Sequence, residues 1–222
     1  MSVLGNANKL SLVGSENIFI KDMDITGTKL RNVTDNNVRK TENFTVSVDS
    51  PKIVIKNADL SDLSCYNVYE QPFGDAKYPV SEIIVDNIKA GSGITHNILS
   101  FYTFVDNATV TIKNSSFDLN KNTNVIRFSN LTDAKNVVIN LENIDWTYEN
   151  SGYESADVEW LGLILFQYTK KNGESSDFSS WTINVHNCRY NGIELTKETA
   201  ENEKKISYTY PNGTINATIN FM

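Results

Sequence analysis

Six times between residues 18 and 190 the chain repeats one pattern: apolar-x-apolar-x-Asn or Asp, with a further apolar residue three positions on. The copies are Ile18-Phe19-Ile20-Lys21-Asp22 with Ile25, Ile53-Val54-Ile55-Lys56-Asn57 with Leu60, and Ile83-Ile84-Val85-Asp86-Asn87 with Ala90. Then follow Val110-Thr111-Ile112-Lys113-Asn114 with Phe117, Ile139-Asn140-Leu141-Glu142-Asn143 with Trp146, and Ile183-Asn184-Val185-His186-Asn187 with Tyr190. Successive Asn/Asp markers lie 35, 30, 27, 29 and 44 residues apart. A motif that holds while its spacing varies fits a coil that adds strands turn by turn, because stacked strands must keep register while the turns absorb insertions.

Alternation with period two, carried by β-branched residues, specifies strands rather than amphipathic helices. A second candidate strand lies between the motifs, at 44–48, 65–69, 98–102, 125–128 and 163–166. At least two strands per repeat with polar corners is the plan of a parallel β-helix. The sequence therefore predicts one all-β domain, a short parallel β-helix or β-solenoid of about six turns. Residues 1–16 are expected as an N-terminal cap or arm, 17–193 as the repeat turns and 194–222 as a cap. In that cap, 206–210 and 215–221 flank Pro211-Asn212-Gly213 and read as a C-terminal β-hairpin. The charged run 194–205 reads as a brief helix or a solvated loop.

The pattern resembles the right-handed parallel β-helix, pectate-lyase-like superfamily, which includes bacteriophage tailspikes and virion proteins. The resemblance covers roughly residues 18 to 190. It implies an Asn ladder at a sharp turn, matched here by Asn57, Asn87, Asn114, Asn143 and Asn187, with Asp22 departing from the pattern at the first turn. An Asn amide can bond both the turn backbone and its stacked neighbour, and Asn tolerates the left-handed conformation. The alternative is that these residues are ordinary turn formers.

If Ile20, Ile55, Val85, Ile112, Leu141 and Val185 point inward, their neighbours point out. One outward column is Lys21, Lys56, Asp86, Lys113, Glu142 and His186, a charged stripe suited to solvation. The other runs Phe19, Val54, Ile84, Thr111, Asn140, Asn184 and changes from apolar to polar. Phe19, Val54 and Ile84 would form an apolar patch of the kind soluble monomers cover. Another subunit or the segment Leu10–Val13 folded back over it are the two candidate covers.

The longest interval, 143 to 187, holds all three tryptophans, Trp146, Trp160 and Trp181. Such a group suits an aromatic contact region for a protein or a sugar, or an aromatic plug in a wider core turn. Cys65 and Cys188 fall four repeats apart, roughly 19 Å along a stack with strand spacing of about 4.8 Å, which predicts free thiols.

The chain carries 20 Lys and Arg against 27 Asp and Glu, a net charge of -7, which would repel a nucleic-acid backbone. No stretch reaches the length of a membrane span, and the first residues lack the pattern of an export signal. The seven Asn-x-Ser/Thr sequons, Asn114-Ser115-Ser116 among them, are read as chance in a chain rich in these residues. No phosphate-binding glycine loop, Cys-x-x-Cys or His-Glu-x-x-His is present. The two histidines, His96 and His186, are far apart. Carboxylate pairs at Asp59 and Asp62 or at Asp157 and Glu159 could in principle cleave a glycosidic bond, yet such residues commonly serve as solvated turns. No catalytic residue, cofactor or metal is expected.

The leading expectation is a non-enzymatic structural protein of a virus particle, such as a bacteriophage capsid decoration or a head- or tail-associated subunit. It would assemble in the host cytoplasm and contact other virion proteins and copies of itself. The alternatives are a carbohydrate- or cell-surface-binding module outside the cell and, third, a polysaccharide lyase or hydrolase.

Overall fold

The computed structural model describes residues 9–13, 17–20, 45–61, 65–119, 124–148, 162–167, 176–200, 205–210 and 216–222. Among them the chain is all-β, with no α-helix, and its strands form two parallel sheets. The first sheet takes β1 (Lys9–Val13), β3 (Thr45–Asp49), β5 (Cys65–Glu70), β7 (Ile94–Phe101), β9 (Asn124–Ser129), β11 (Ile164–Gln167) and β15 (Ser207–Tyr210), in that order. The second takes β2 (Asn17–Ile20), β4 (Lys52–Leu60), β6 (Val80–Ala90), β8 (Phe104–Leu119), β10 (Val138–Tyr148), β12 (Thr182–His186), β13 (Arg189–Tyr190), β14 (Ile193–Glu194) and β16 (Thr218–Phe221). From β1 to β12 the chain alternates strictly between the sheets, so each strand pairs with the strand two elements away.

The register follows the sequence motif. Ile18, Ile53, Ile83, Val110, Ile139, Ile183 and Ile219 stand in one column across seven strands of the second sheet. Ile53, Ile83, Val110, Ile139 and Ile183 are completely buried, each contributing on the order of 2 kcal/mol of transfer free energy. The first sheet answers with Leu99, Phe101, Ile126, Phe128, Ile164 and Phe166, also buried.

β4, β6, β8 and β10 each bend at an asparagine in the left-handed region: Asn57, Asn87, Asn114 and Asn143, with φ of 54°, 58°, 51° and 52°. Asn187, φ 47°, makes the same bend between β12 and β13. The bend resets the alternation. In β4, Ile53 and Ile55 are buried before it and Ala58 and Leu60 after it, while Asn57 is exposed. A left-handed residue costs most side chains about 1–2 kcal/mol, and Asn is among the few that adopt it readily.

Two expectations are corrected. Residues 206–210 and 215–221 do not form a C-terminal hairpin: β15 adds in parallel to β11, and β16 adds in parallel to β12 in the other sheet. The open edges of β11 and β12 offer in-register backbone partners, and Ile219-Asn220-Phe221 repeats the spacing of Ile183-Asn184-Val185. β15 and β16 thus add one further strand to each sheet. Likewise, Leu10–Val13 does not cover the patch on the second sheet, because it lies within β1, paired with β3 in the first sheet. Among the described residues the one antiparallel pair is β13 with β14, joined by Asn191 and Gly192 at φ 49° and 78°, the double positive φ of a tight hairpin turn. Residues 197–199 form a turn, with the N–H groups of Glu198 and Thr199 donating to Thr196 Oγ1.

Candidate functional site

The outward side of the second sheet is organised in columns, because parallel in-register strands stack like positions directly over one another. Its charged column holds Lys56, Asp86, Lys113, Glu142 and His186. Lys56 Nζ and Lys113 Nζ each stand 4.0 Å from Asp86 Oδ2, pairs that contribute between nothing and about 1 kcal/mol at such exposure.

The neighbouring column runs Phe19, Val54, Ile84, Thr111, Asn140, Asn184, Asn220. Val54 and Ile84 are partly exposed, unlike the buried Ile53, Ile55, Ile83 and Val85 on either side of them. Farther along, the column becomes an amide ladder. Asn184 Nδ2 donates to Asn140 Oδ1 at 2.9 Å, and Asn220 Nδ2 donates to Asn184 Oδ1 at 3.0 Å.

At the bend, Asn87 Nδ2 donates to Asn57 Oδ1 at 2.8 Å, Asn143 to Asn114 at 3.1 Å and Asn187 to Asn143 at 2.7 Å. The run is broken once: Asn114 Nδ2 donates to Asp86 Oδ1 at 2.8 Å, one residue before Asn87. Asp22 lies outside the described residues. A further ladder, missed in the sequence, joins Asn136 Nδ2 to Asn107 Oδ1 at 3.3 Å, both residues at positive φ. Its signal was present, since Asn107 and Asn136 each precede the core residue of their rung, Val110 and Ile139, by three positions. Beside it, Asp106 Oδ1 accepts the N–H of Lys135 at 2.8 Å, and Lys135 Nζ lies 2.8 Å from Asp177 Oδ2. The hydrogen bond from Lys135, followed by those from Ser179, holds the Asp177 carboxyl well below the usual range.

The first sheet carries a polar network on its other face. Tyr102 Oη donates to Glu70 Oε1 at 2.6 Å, and the Arg127 guanidinium lies 5.7 Å from the centre of the Tyr102 ring while donating to Gln167 Oε1. Burial, and then the Glu70 charge, push the Tyr102 hydroxyl pKa up. Burial, and then Arg127, lower the His96 pKa to about 4. The bonds from Tyr102 to Glu70 and from Arg127 to Gln167 tie neighbouring rungs together.

Trp146 and Trp181 are interior, 1% and 0% exposed, so neither presents a ring to an outside sugar or protein. Trp181 packs edge-on against Phe104, Phe128 and Phe178 at centroid distances of 5.2, 5.8 and 5.0 Å, and its Nε1 donates to the Ala134 carbonyl at 3.0 Å. Trp146 and Trp181 thus fill the core. Trp160 lies outside the described residues, as do Asp62, Asp157 and Glu159. Asp59 accepts the N–H of Ser61 at 3.0 Å, a turn contact. Cys188 is buried, with burial raising its thiol pKa to about 11; the Cys65 side chain is not among those described. Among the described residues no three His, Cys, Asp or Glu side chains are placed to hold a metal ion, and no helix is long and apolar enough to cross a membrane.

Comparison of the chain with protein-family models, with curated proteins and with solved structures found no match.

Proposed function

We propose that the chain is a short parallel β-helix serving as a non-enzymatic structural protein of a virus particle, where it acts through protein–protein contacts with other virion proteins and with copies of itself. The observation that carries the reading is the in-register outward column. Val54 and Ile84 stack on the solvent side of a sheet whose backbone is held by ladders, with Phe19 next in register. An apolar column on a rigid lattice favours a flat, pre-organised contact, because little conformational entropy is lost on docking. The solenoid reading is supported by the strict alternation of strands between two parallel sheets. The virion assignment rests on the resemblance of the repeat to virion β-helix proteins.

The test has two parts. Mass spectrometry of purified particles from the virus that encodes the chain should find it in fixed stoichiometry. Light scattering should give the purified chain a mass that is a multiple of 24.9 kDa, or show it binding the stripped particle, and Ile84→Lys should abolish that association while leaving the fold intact. A stable monomer that is absent from particles and binds none of them would overturn the proposal.

A further inference from the structure

The outward face of the second sheet changes sign between two neighbouring rungs. β4 presents Lys52, Val54 and Lys56, and β6 presents Glu82, Ile84 and Asp86, each directly over its counterpart. Two cations thus flank the apolar centre of one strand, and two carboxylates flank that of the next. All six side chains are at least partly exposed. Within the chain the charged pairs are long: Lys52 Nζ lies 3.9 Å from Glu82 Oε2, and Lys56 Nζ lies 4.0 Å from Asp86 Oδ2. Both exceed the roughly 2.7–2.9 Å of a charge-assisted hydrogen bond. An ammonium carries three N–H donors, so each lysine can meet a second carboxylate as well.

We propose that this face is the interface of a two-fold homodimer in which β4 of one copy lies against β6 of the other. The inference rests on the reading of the Val54 and Ile84 column as a contact with copies of the chain, and it fixes the arrangement. The axis runs parallel to the strands, between the facing sheets and midway between β4 and β6. Rotation about it keeps the strand direction and reverses the order of the rungs. Val54 then meets the partner's Ile84, Lys52 the partner's Glu82 and Lys56 the partner's Asp86, and each contact occurs twice. Facing sheets pack about 10 Å apart with their strands nearly aligned. The interface therefore has an apolar centre between two quartets of alternating charge. The complement of β4 is carried by the same chain one rung away, which is why a second copy is the occupant. Such an isologous contact closes at two copies.

The same charges reject the neighbouring arrangements. With the axis on β4, Lys52 meets the partner's Lys52; with the axis on β6, Glu82 meets the partner's Glu82. An axis parallel to the stack reverses the strands and keeps the order of the rungs. It sets Lys52 against the partner's Lys56 and Glu82 against the partner's Asp86. Like charges in contact oppose each of these. The contact is centred on two rungs and is smaller than a standard interface, so the dissociation constant should be on the order of ten micromolar or weaker.

Sedimentation equilibrium of the full chain from about 1 to about 500 μM spans that range. The weight-average mass should rise from 24.9 kDa toward twice that value and level there. Lys52→Glu and Glu82→Lys should each weaken dimerisation about ten-fold or more, because each places two like-charged contacts across the axis. The double variant Lys52→Glu/Glu82→Lys restores the pair within the chain and across the interface, and it should dimerise as tightly as the wild type. It should not dimerise with the wild type, since cross-pairing sets lysine against lysine and glutamate against glutamate. A 1:1 mixture should therefore sediment as two separate chains, each at half the total concentration. A chain that stays monomeric throughout, single reversals that leave association unchanged, a double variant with native circular dichroism that does not dimerise, or one that pairs with the wild type would overturn the inference. Binding to stripped particles that Ile84→Lys abolishes, by a chain that stays monomeric, would sink the homodimer and leave the structural-protein reading standing. A chain that dimerises as described but neither occurs in particles nor binds them would do the reverse.

Discussion

Asn143 Nδ2 donates to Asn114 Oδ1 across 3.1 Å, joining residues 29 positions apart that both sit in the left-handed region. The bond links the bend of one rung to the bend of the next. Asn114→Ala loses this bond and the one to Asp86, and places a β-carbon at φ 51°. It should lower unfolding free energy in urea by about 2 kcal/mol. Asn114→Gly keeps the backbone conformation and should lose roughly half as much.

Gly91 allows two rungs to approach. A β-carbon there would lie 2.3 Å from the Ser61 carbonyl oxygen and 3.1 Å from its carbon. Both are backbone atoms, so the rungs must separate. Gly91→Ala should destabilise the chain by about 1–3 kcal/mol, measured by thermal or urea unfolding, although alanine is the smallest substitution available.

Trp181 is the centre of the aromatic cluster and its indole N–H is bonded. Trp181→Ala should lower the unfolding free energy by about 3–5 kcal/mol. Trp181→Phe should cost less, since it keeps most of the ring volume and loses the bond to Ala134. Quenching by acrylamide checks the burial: Trp146 and Trp181 should be protected until the chain unfolds.

His96 makes stability depend on pH. Its folded pKa, about 4, lies below the ordinary 6.5, so the unfolded chain binds its proton first. Its contribution is complete above pH 6.5 and is lost as the pH falls toward 4, by roughly 1 kcal/mol per unit. Unfolding free energies measured between pH 7 and 5 should show this slope, and His96→Gln should flatten it.

Cys188, buried and with a raised pKa, has little thiolate at neutral pH. In a Cys65→Ser chain a thiol reagent should leave Cys188 unmodified in the native state and react with it promptly in denaturant. Rapid native labelling would show that the bend after Asn187 opens.

The repeat was legible because a stacked strand imposes the same demand in every rung. Ile53, Ile83, Val110, Ile139 and Ile183 must be apolar at one position, and the bend four residues later must accept positive φ, which selects Asn. Those local demands are written residue by residue, so the strands, the inward column and the bend at Asn57, Asn87, Asn114, Asn143 and Asn187 could all be read from the sequence alone. Pairing partners were less legible. The segments 206–210 and 215–221 have the composition of a hairpin, and only the open edges of β11 and β12, brought to the same end of the stack from residues far away in sequence, decide that each joins a different sheet in parallel. The same holds for Trp181, whose aromatic character suits a surface or a core equally well until Phe104, Phe128 and Phe178 are gathered round it. The run Leu163-Ile164-Leu165-Phe166 carried a further sign, since unbroken apolar sequence marks a strand buried on both faces, as these four residues are. Periodicity states which way a side chain points relative to its neighbours; tertiary structure decides what it meets there, because that depends on contacts between rungs that no local pattern encodes.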